Sequence, residues 1–370
     1  MLTVPKSVGR WARLLLSGLL ASGLGACSTA GYLLQAANGE ARLLARRRPL
    51  GNVIADPATS ASLRAQLETV RAARDFAVRE LALPDNASYR SYADIGRPYV
   101  VWNVIAAPEF SVEPRRWCFP FTGCVAYRGY FREANARRYA AWLEQRGDDV
   151  LVAGVSAYST LGHFDDPVVS SMLRQGETTL VATMFHELAH QLLYVRGDTE
   201  FNEAFAMTVE QEGLARWLAA QGREPELAGY LEQRRRQAGI AAIFGAARDE
   251  LAALYRSGLP APELRPRKRT LLDQAGQTTL DFARAAGAAS GYEAWIAAGL
   301  NNAHLAAVSN YHGCIPGFQR LLAAAGGDLP RFYAAARALG RGAPQSRRAF
   351  CASGGVTAAA GTAALTSPRR

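Results

Sequence analysis

The chain has 370 residues, a formal charge of +10 from 42 Lys and Arg against 32 Asp and Glu, and 49% hydrophobic residues with 9% aromatic. This balance excludes a disordered polyelectrolyte and supplies enough apolar side chains for one large folded domain or two modest ones, with no internal repeat to suggest a solenoid. Beyond the first 26 residues nothing is long and apolar enough to span a bilayer, and no nucleic-acid motif accompanies the basic excess, so nucleic acid is not expected as a partner.

The first predicted element is a leader. Lys6, Arg10 and Arg13 form a basic region, Leu14 to Gly25 an apolar one, and Leu24-Gly25-Ala26-Cys27 closes it with small residues before a cysteine. The pattern resembles a bacterial lipobox. That resemblance implies a signal peptide over residues 1–26, acylation of Cys27 and a lipid anchor in the bacterial cell envelope. Ser28, in place of Asp, favours the outer membrane, facing the periplasm. Loss of residues 1–26 removes three positive charges and leaves +7. Four cysteines remain, and an even number in an oxidising compartment suggests disulfides. Cys118 and Cys124 enclose a turn-like Phe-Pro-Phe-Thr-Gly, and Cys314 with Cys351 follows by elimination. The clusters Arg46–Arg48, Arg234–Arg236 and Arg265–Arg269 read as solvated helix faces, with attraction to anionic lipid as the alternative.

Ala, Leu and Arg-rich stretches predict helices over Tyr32–Arg47 and Ser60–Leu81. Aromatic and β-branched residues predict strands over Tyr99–Ile105, Val125–Tyr130 and residues 149–159. The sheet therefore precedes the most informative segment, His186-Glu187-Leu188-Ala189-His190, which follows the apolar run Leu180–Phe185. On a helix, positions four apart share a face, so His186 and His190 can aim two imidazoles at one metal ion while Glu187 stands beside them. Neutral imidazoles suit zinc, and a neighbouring carboxylate can take a proton from water attacking a carbonyl. This helix should end near Val195, where Arg196-Gly197-Asp198-Thr199 offers a Gly terminator and then capping residues. The next helix runs from Thr199 or Phe201 to about Gln221 and returns antiparallel after a short turn. His190 and Glu203 then lie about equally far from the turn, which makes Glu203 the third ligand for one Zn2+ ion. Glu210 and Glu212 are rivals; Glu210 shares the face of Glu203 but lies roughly 10 Å along the axis, as a supporting or substrate-amine group.

After residue 221 helices are predicted over Glu224–Arg256, as one long helix or a broken pair, and over Glu263–Ala286, Tyr292–Tyr311, Gly317–Ala325 and Leu329–Leu339. The Gly, Ala and Thr-rich residues 354–370 read as a disordered tail, leaving 27–353 as the folded domain.

The stretches Ala157–Gly162, Phe185–Gln191 and Phe201–Ala206 resemble a family of bacterial lipoproteins described as aminopeptidases. The resemblance runs from about Tyr32 to about Leu339 and includes Trp117–Pro120 and Tyr127–Phe131. Two His and a downstream Glu are the ligand set of gluzincin peptidases, although the gap of twelve residues between His190 and Glu203 is shorter than in the thermolysin-like or large aminopeptidase branches. The resemblance implies a zincin-like α+β fold, mainly helical, with a small sheet packed near the motif helix. It also implies a zinc metallopeptidase acting on peptides, with Glu187 as general base. A sheet edge upstream of the metal helix would bind the substrate backbone, and Val155, Ala157 and Ser159 are its candidates here. Tyr311 or His312 would stabilise the oxyanion. Aminopeptidase action requires a carboxylate for the substrate's free amine, for which Glu210 and Asp166 are available; His163 in the loop after residue 161 is a further candidate contact. The alternatives are an envelope endopeptidase or amidase, and a non-catalytic zinc lipoprotein with a binding or assembly role.

Overall fold

A computed structural model describes residues 31–119, 123–287, 290–308 and 313–353; the leader, Cys27 and the tail from residue 354 lie outside them. Thirteen helices and eight short strands are found among the described residues, a mainly helical α+β fold. Three helices open it: α1 (31–45), α2 (Leu50–Ala55) and α3 (Ala61–Arg79), the last capped by Ser60, whose hydroxyl accepts from Leu63 N–H.

All eight strands precede the helix that carries the His motif. The largest sheet has β3 (Val101–Pro108) between β6 (Arg128–Tyr130) and β7 (Asp148–Val155), all antiparallel, with Val101 opposite Val155 and Pro108 opposite Asp148. Alternation along β3 sends Trp102, Val104 and Ala106 towards α4 (Glu133–Glu144), and Ile105 towards Ala303 and Ala306 of a later helix, so both faces are covered. A second sheet has β2 (Ser91–Ala93) between antiparallel β1 (Arg48–Pro49) and parallel β8 (Val168–Val169). Its Tyr92, Ala93, Val168 and Val169 share the main core with Leu180, Met184 and Phe185 of the motif helix. A hairpin of β4 (Trp117–Phe119) and β5 (Gly123–Val125) carries the Cys118–Cys124 disulfide.

The motif helix α5 (Glu177–Leu192) packs against α6 (Thr199–Ala219). Then follow α7 (Pro225–Tyr255) and α8 (Ala261–Ala285), α9 (Ser290–Ala297), α10 (Asn302–Val308), α11 (Ile315–Ala324), α12 (Leu329–Arg341) and α13 (Pro344–Ser353). The helix predicted over Tyr292–Tyr311 is divided. Gly299 takes φ 93°, and Asn301 and Asn302 turn their side chains to the sheet, donating to Val150 O, Pro108 O and Glu109 O. Those bonds anchor α10 on the β3–β7 sheet. Helix α13, absent from the sequence expectations, is tied back by the Cys314–Cys351 disulfide and by Arg347, whose Nε lies 2.6 Å from Asp198 Oδ2.

Candidate metal centre

Helix α6 is buried almost all round, so it is a core helix on which even polar side chains must find partners inside. Asp198 caps it by accepting from Phe201 N–H. The preceding α5 ends at Leu192, short of the expected Val195, and the chain leaves it extended at Leu193. Buried Asn202 explains the early stop. Its carbonyl oxygen accepts from Val195 N–H and its amide donates to Val195 O, both at 2.8 Å, as a neighbouring strand would. Gly197, at φ 77°, makes the turn rather than terminating the helix. Further along, a side chain on Gly213 would come within 2.7 Å of Leu81 and 3.0 Å of Phe185, so glycine permits the close approach of α6 to α5.

This packing brings His186, His190 and Glu203 together. His186 Nε2 and His190 Nε2 lie 3.1 Å apart, His186 Nε2 and Glu203 Oε2 3.4 Å, and His190 Nε2 and Glu203 Oε1 3.6 Å. Donors about 2.0–2.1 Å from a tetrahedral ion lie about 3.3–3.4 Å from one another. The observed triangle brackets that edge, and its chemistry, two imidazoles and a carboxylate, suits a divalent cation of the zinc type. The three residues can hold a metal ion.

Electrostatics favours positive charge at the same point. Burial opposes protonation of His186, but hydrogen bonds and attraction from Glu203 and Glu210 outweigh it and hold its pKa well above the ordinary value. The carboxylates that draw a proton there also attract a cation. Burial, helped by the charge on His186, lowers His190 to about 4, leaving a neutral ring whose lone pair is available. Burial opposes ionisation of Glu203 too, yet its bond to His186 and the surrounding positive groups keep its pKa below the usual value.

Behind His186 stands Glu210, only 2% exposed. Its Oε2 is 2.8 Å from His186 Nδ1, while Oε1 accepts from Tyr230 OH and Arg234 Nη2. A carboxylate on Nδ1 assigns the proton to that nitrogen and turns Nε2 towards the metal. Tyr230 and Arg234 are one turn apart on α7, and their role was not legible locally because it depends on α7 crossing α5 and α6. Their only sequence signal is the i, i+4 spacing of two donors. Asn202 likewise lacked a signal beyond its place beside Glu203.

Glu187 is partly accessible. Burial pushes its carboxyl up to about 7; His186 opposes this, while Glu203, Asp166 and Glu210 reinforce it. Asp166 is itself buried and accepts from Thr160 N–H and Thr160 Oγ1, each at 2.9 Å, and from Ser159 Oγ at 3.4 Å. Tyr89, fully buried at φ 61°, donates its backbone N–H to Asp166 O at 2.7 Å. Its hydroxyl feels the charges of Glu187 and Asp166 after the dominant effect of burial, all raising its pKa. Such a backbone conformation at a buried tyrosine is a local strain held by its surroundings. Arg74 of α3 supplies much of that hold, donating to Ser88 O, Pro84 O and Asn86 O at 2.8–2.9 Å.

The strand expected over residues 149–159 is shorter. Val155 is the last residue of β7, and its carbonyl accepts from Val100 N–H. Ala157 packs on the main core, and Ser159 bonds to Asp166. Gln175 donates to Ser156 Oγ and also borders a polar cleft of about 500 Å³ that includes Thr179, Thr183, Glu210, Tyr230 and Arg234. The cleft thus lies between α5, α6 and α7, behind His186. Glu210 lines it as well as supporting His186. His163 has no place in the donor triangle, and Tyr311 and His312 lie outside the described residues.

No curated protein and no solved structure matches the chain. Residues 31–351 match the family model described as "Putative aminopeptidase", and the chain belongs to that family.

Proposed function

We propose that the chain is a zinc-dependent peptidase that removes N-terminal residues from peptides, held in the bacterial envelope by a lipid at Cys27 and facing the periplasm from the outer membrane. The observation that carries the peptidase reading is the His186–His190–Glu203 triangle with the elevated, partly accessible carboxyl of Glu187 beside it. A zinc ion there would supply Lewis-acid chemistry, favouring ionisation of water and polarising a peptide carbonyl. Glu187 takes the proton from the attacking water and returns it to the leaving amine, a task for which a carboxyl near neutrality is suited. Glu210 keeps the His186 ring turned towards the ion, and Tyr230 and Arg234 keep Glu210 in place.

The substrate backbone lies beside Val155, Ala157 and Ser159 as an added strand. Asp166 and Glu210 are the carboxylates proposed for its ammonium group, and Tyr311 or His312 donates to the oxyanion. The test is hydrolysis of peptide pairs with free and blocked amino termini by wild type and Glu187→Gln. Turnover of free-amino peptides that vanishes in the variant supports the proposal. Cleavage of blocked peptides alone selects an endopeptidase or amidase, and full biological activity of Glu187→Gln selects a binding role.

A further inference from the structure

Four arginines, Arg42, Arg46, Arg97 and Arg132, line a single cavity of about 390 Å³. Arg42 lies on α1, Arg46 in the turn that follows it and Arg97 in the segment before β3, and Arg132 is the N-cap residue of α4. No Asp or Glu is among the lining residues, and Asn38 and Asn135 add neutral amides. The cavity is set into the packing of α1: a side chain on Gly39 would meet the Phe131 ring at 2.2 Å, so glycine lets the helix close against the wall.

Elsewhere the arginines of this chain are commonly matched with carboxylates; Arg90 bridges Asp75 and Asp85, and Arg223 bridges Glu177 and Glu226. Around the cavity the pattern differs. Arg46 Nη1 reaches Ile95 O at 3.4 Å, and Arg97 donates to Tyr99 O and Val100 O at 3.0 and 2.8 Å. The Arg42 and Arg132 guanidinium groups have no hydrogen-bond or ion-pair partner among the described residues. Asp94, outside the lining, is the acidic group whose charge interacts with Arg46. Burial and the like charges of Arg46 and Arg132 hold the pKa of Arg97 below its ordinary value. Gathering four cations with no carboxylate in the wall is unfavourable until an anion joins them.

We infer that this cavity binds a phosphate-bearing anion. Guanidinium forks match phosphate oxygens in pairs, and several of them suit a group of more than one negative charge better than a lone carboxylate. The volume admits a phosphate with a small substituent, and Leu43, Ile95 and Phe131 offer apolar wall to that substituent. The ligand is a soluble phosphate compound or the headgroup of an anionic phospholipid; the recognition chemistry is the same. None of the lining residues belongs to the cleft beside His186, so binding and hydrolysis can be read separately.

The experiment titrates the full chain with pyrophosphate by calorimetry at constant ionic strength. It compares wild type, the Arg42→Gln/Arg132→Gln double variant and an Arg71→Gln/Arg79→Gln control that removes equal charge from exposed positions on α3. Saturable one-site binding in wild type and control, weakened by about tenfold or more in the cavity variant, is expected. Because the replaced side chains are exposed, both variants should melt like wild type, which checks that lost binding is not lost folding. Sedimentation with phosphatidylcholine vesicles, with and without about one third phosphatidylglycerol, distinguishes the sources. Loss of the phosphatidylglycerol-dependent fraction in the cavity variant, with release of wild type by pyrophosphate, identifies a lipid headgroup. Pyrophosphate binding with an unchanged vesicle fraction identifies a soluble phosphate. Absence of saturable binding, or equal weakening in the control, overturns the inference.

Discussion

Replacing Glu210 should disable the metal centre without touching a ligand. Glu210 is 2% exposed and accepts at 2.8 Å from His186 Nδ1, and its other oxygen receives Tyr230 and Arg234. In Glu210→Ala the His186 ring loses the acceptor that fixes its proton on Nδ1. Losing such a partner typically lowers metal affinity 10- to 100-fold, about 1.4–2.7 kcal/mol. Stability should fall by a smaller amount, about 1–2 kcal/mol, because the Arg234 side chain is 27% exposed and can turn to water. Glu210→Gln keeps an acceptor for His186 and should fall between wild type and Ala. Competition against a zinc chelator gives the affinities, and urea unfolding of the metal-free proteins gives the stabilities. A folded Ala variant with wild-type zinc affinity would show that Glu210 does not orient His186.

Two further changes probe how the fold carries the site. Asn202→Ala removes both bonds to Val195 and leaves a backbone N–H and C=O to find new partners; a loss of about 2–4 kcal/mol and weaker zinc binding are expected, by urea unfolding and chelator competition. Unchanged stability would mean that the 193–198 turn holds itself. Glu40 is buried; burial first and then the charge of Asp166 push it up to about 7 from 4.5, against the opposing hydroxyl of Tyr158. A raised carboxyl pKa contributes stability fully below the unfolded value and loses it as pH rises through about 7. Glu40→Gln should therefore gain on wild type between pH 5 and pH 8, by up to about 3 kcal/mol, in paired denaturation curves. A difference between the two proteins that does not vary with pH would remove Glu40 as the titrating group.

The donor triangle was legible in the sequence because every piece of it is local. The i, i+4 spacing of His186 and His190 sets two ligands on one helix face, and a short turn brings Glu203 level with them on the next helix. Strands β3 and β7 were legible through Val, Ile and Trp, and both disulfides through spacing and elimination. The β1–β2–β8 sheet was not, since two or three residues per strand carry no periodicity and form only because their partners are already packed. The end of α5 was misplaced because a side chain ten residues beyond Leu192, Asn202, competes for the backbone of Val195. The sequence presents Glu210 as a substrate or supporting group, but Tyr230 and Arg234 behind it depend on how α7 crosses the α5–α6 pair, which no local pattern encodes.

The most direct test is metal stoichiometry by native mass spectrometry on the metal-replete full chain, beside Glu187→Gln and His190→Ala, with peptide turnover measured on the same samples. The proposed mechanism predicts one zinc ion per chain in wild type and Glu187→Gln, loss of that ion in His190→Ala, and turnover in wild type alone. Undiminished stoichiometric zinc in His190→Ala, or wild-type turnover in Glu187→Gln, would contradict it.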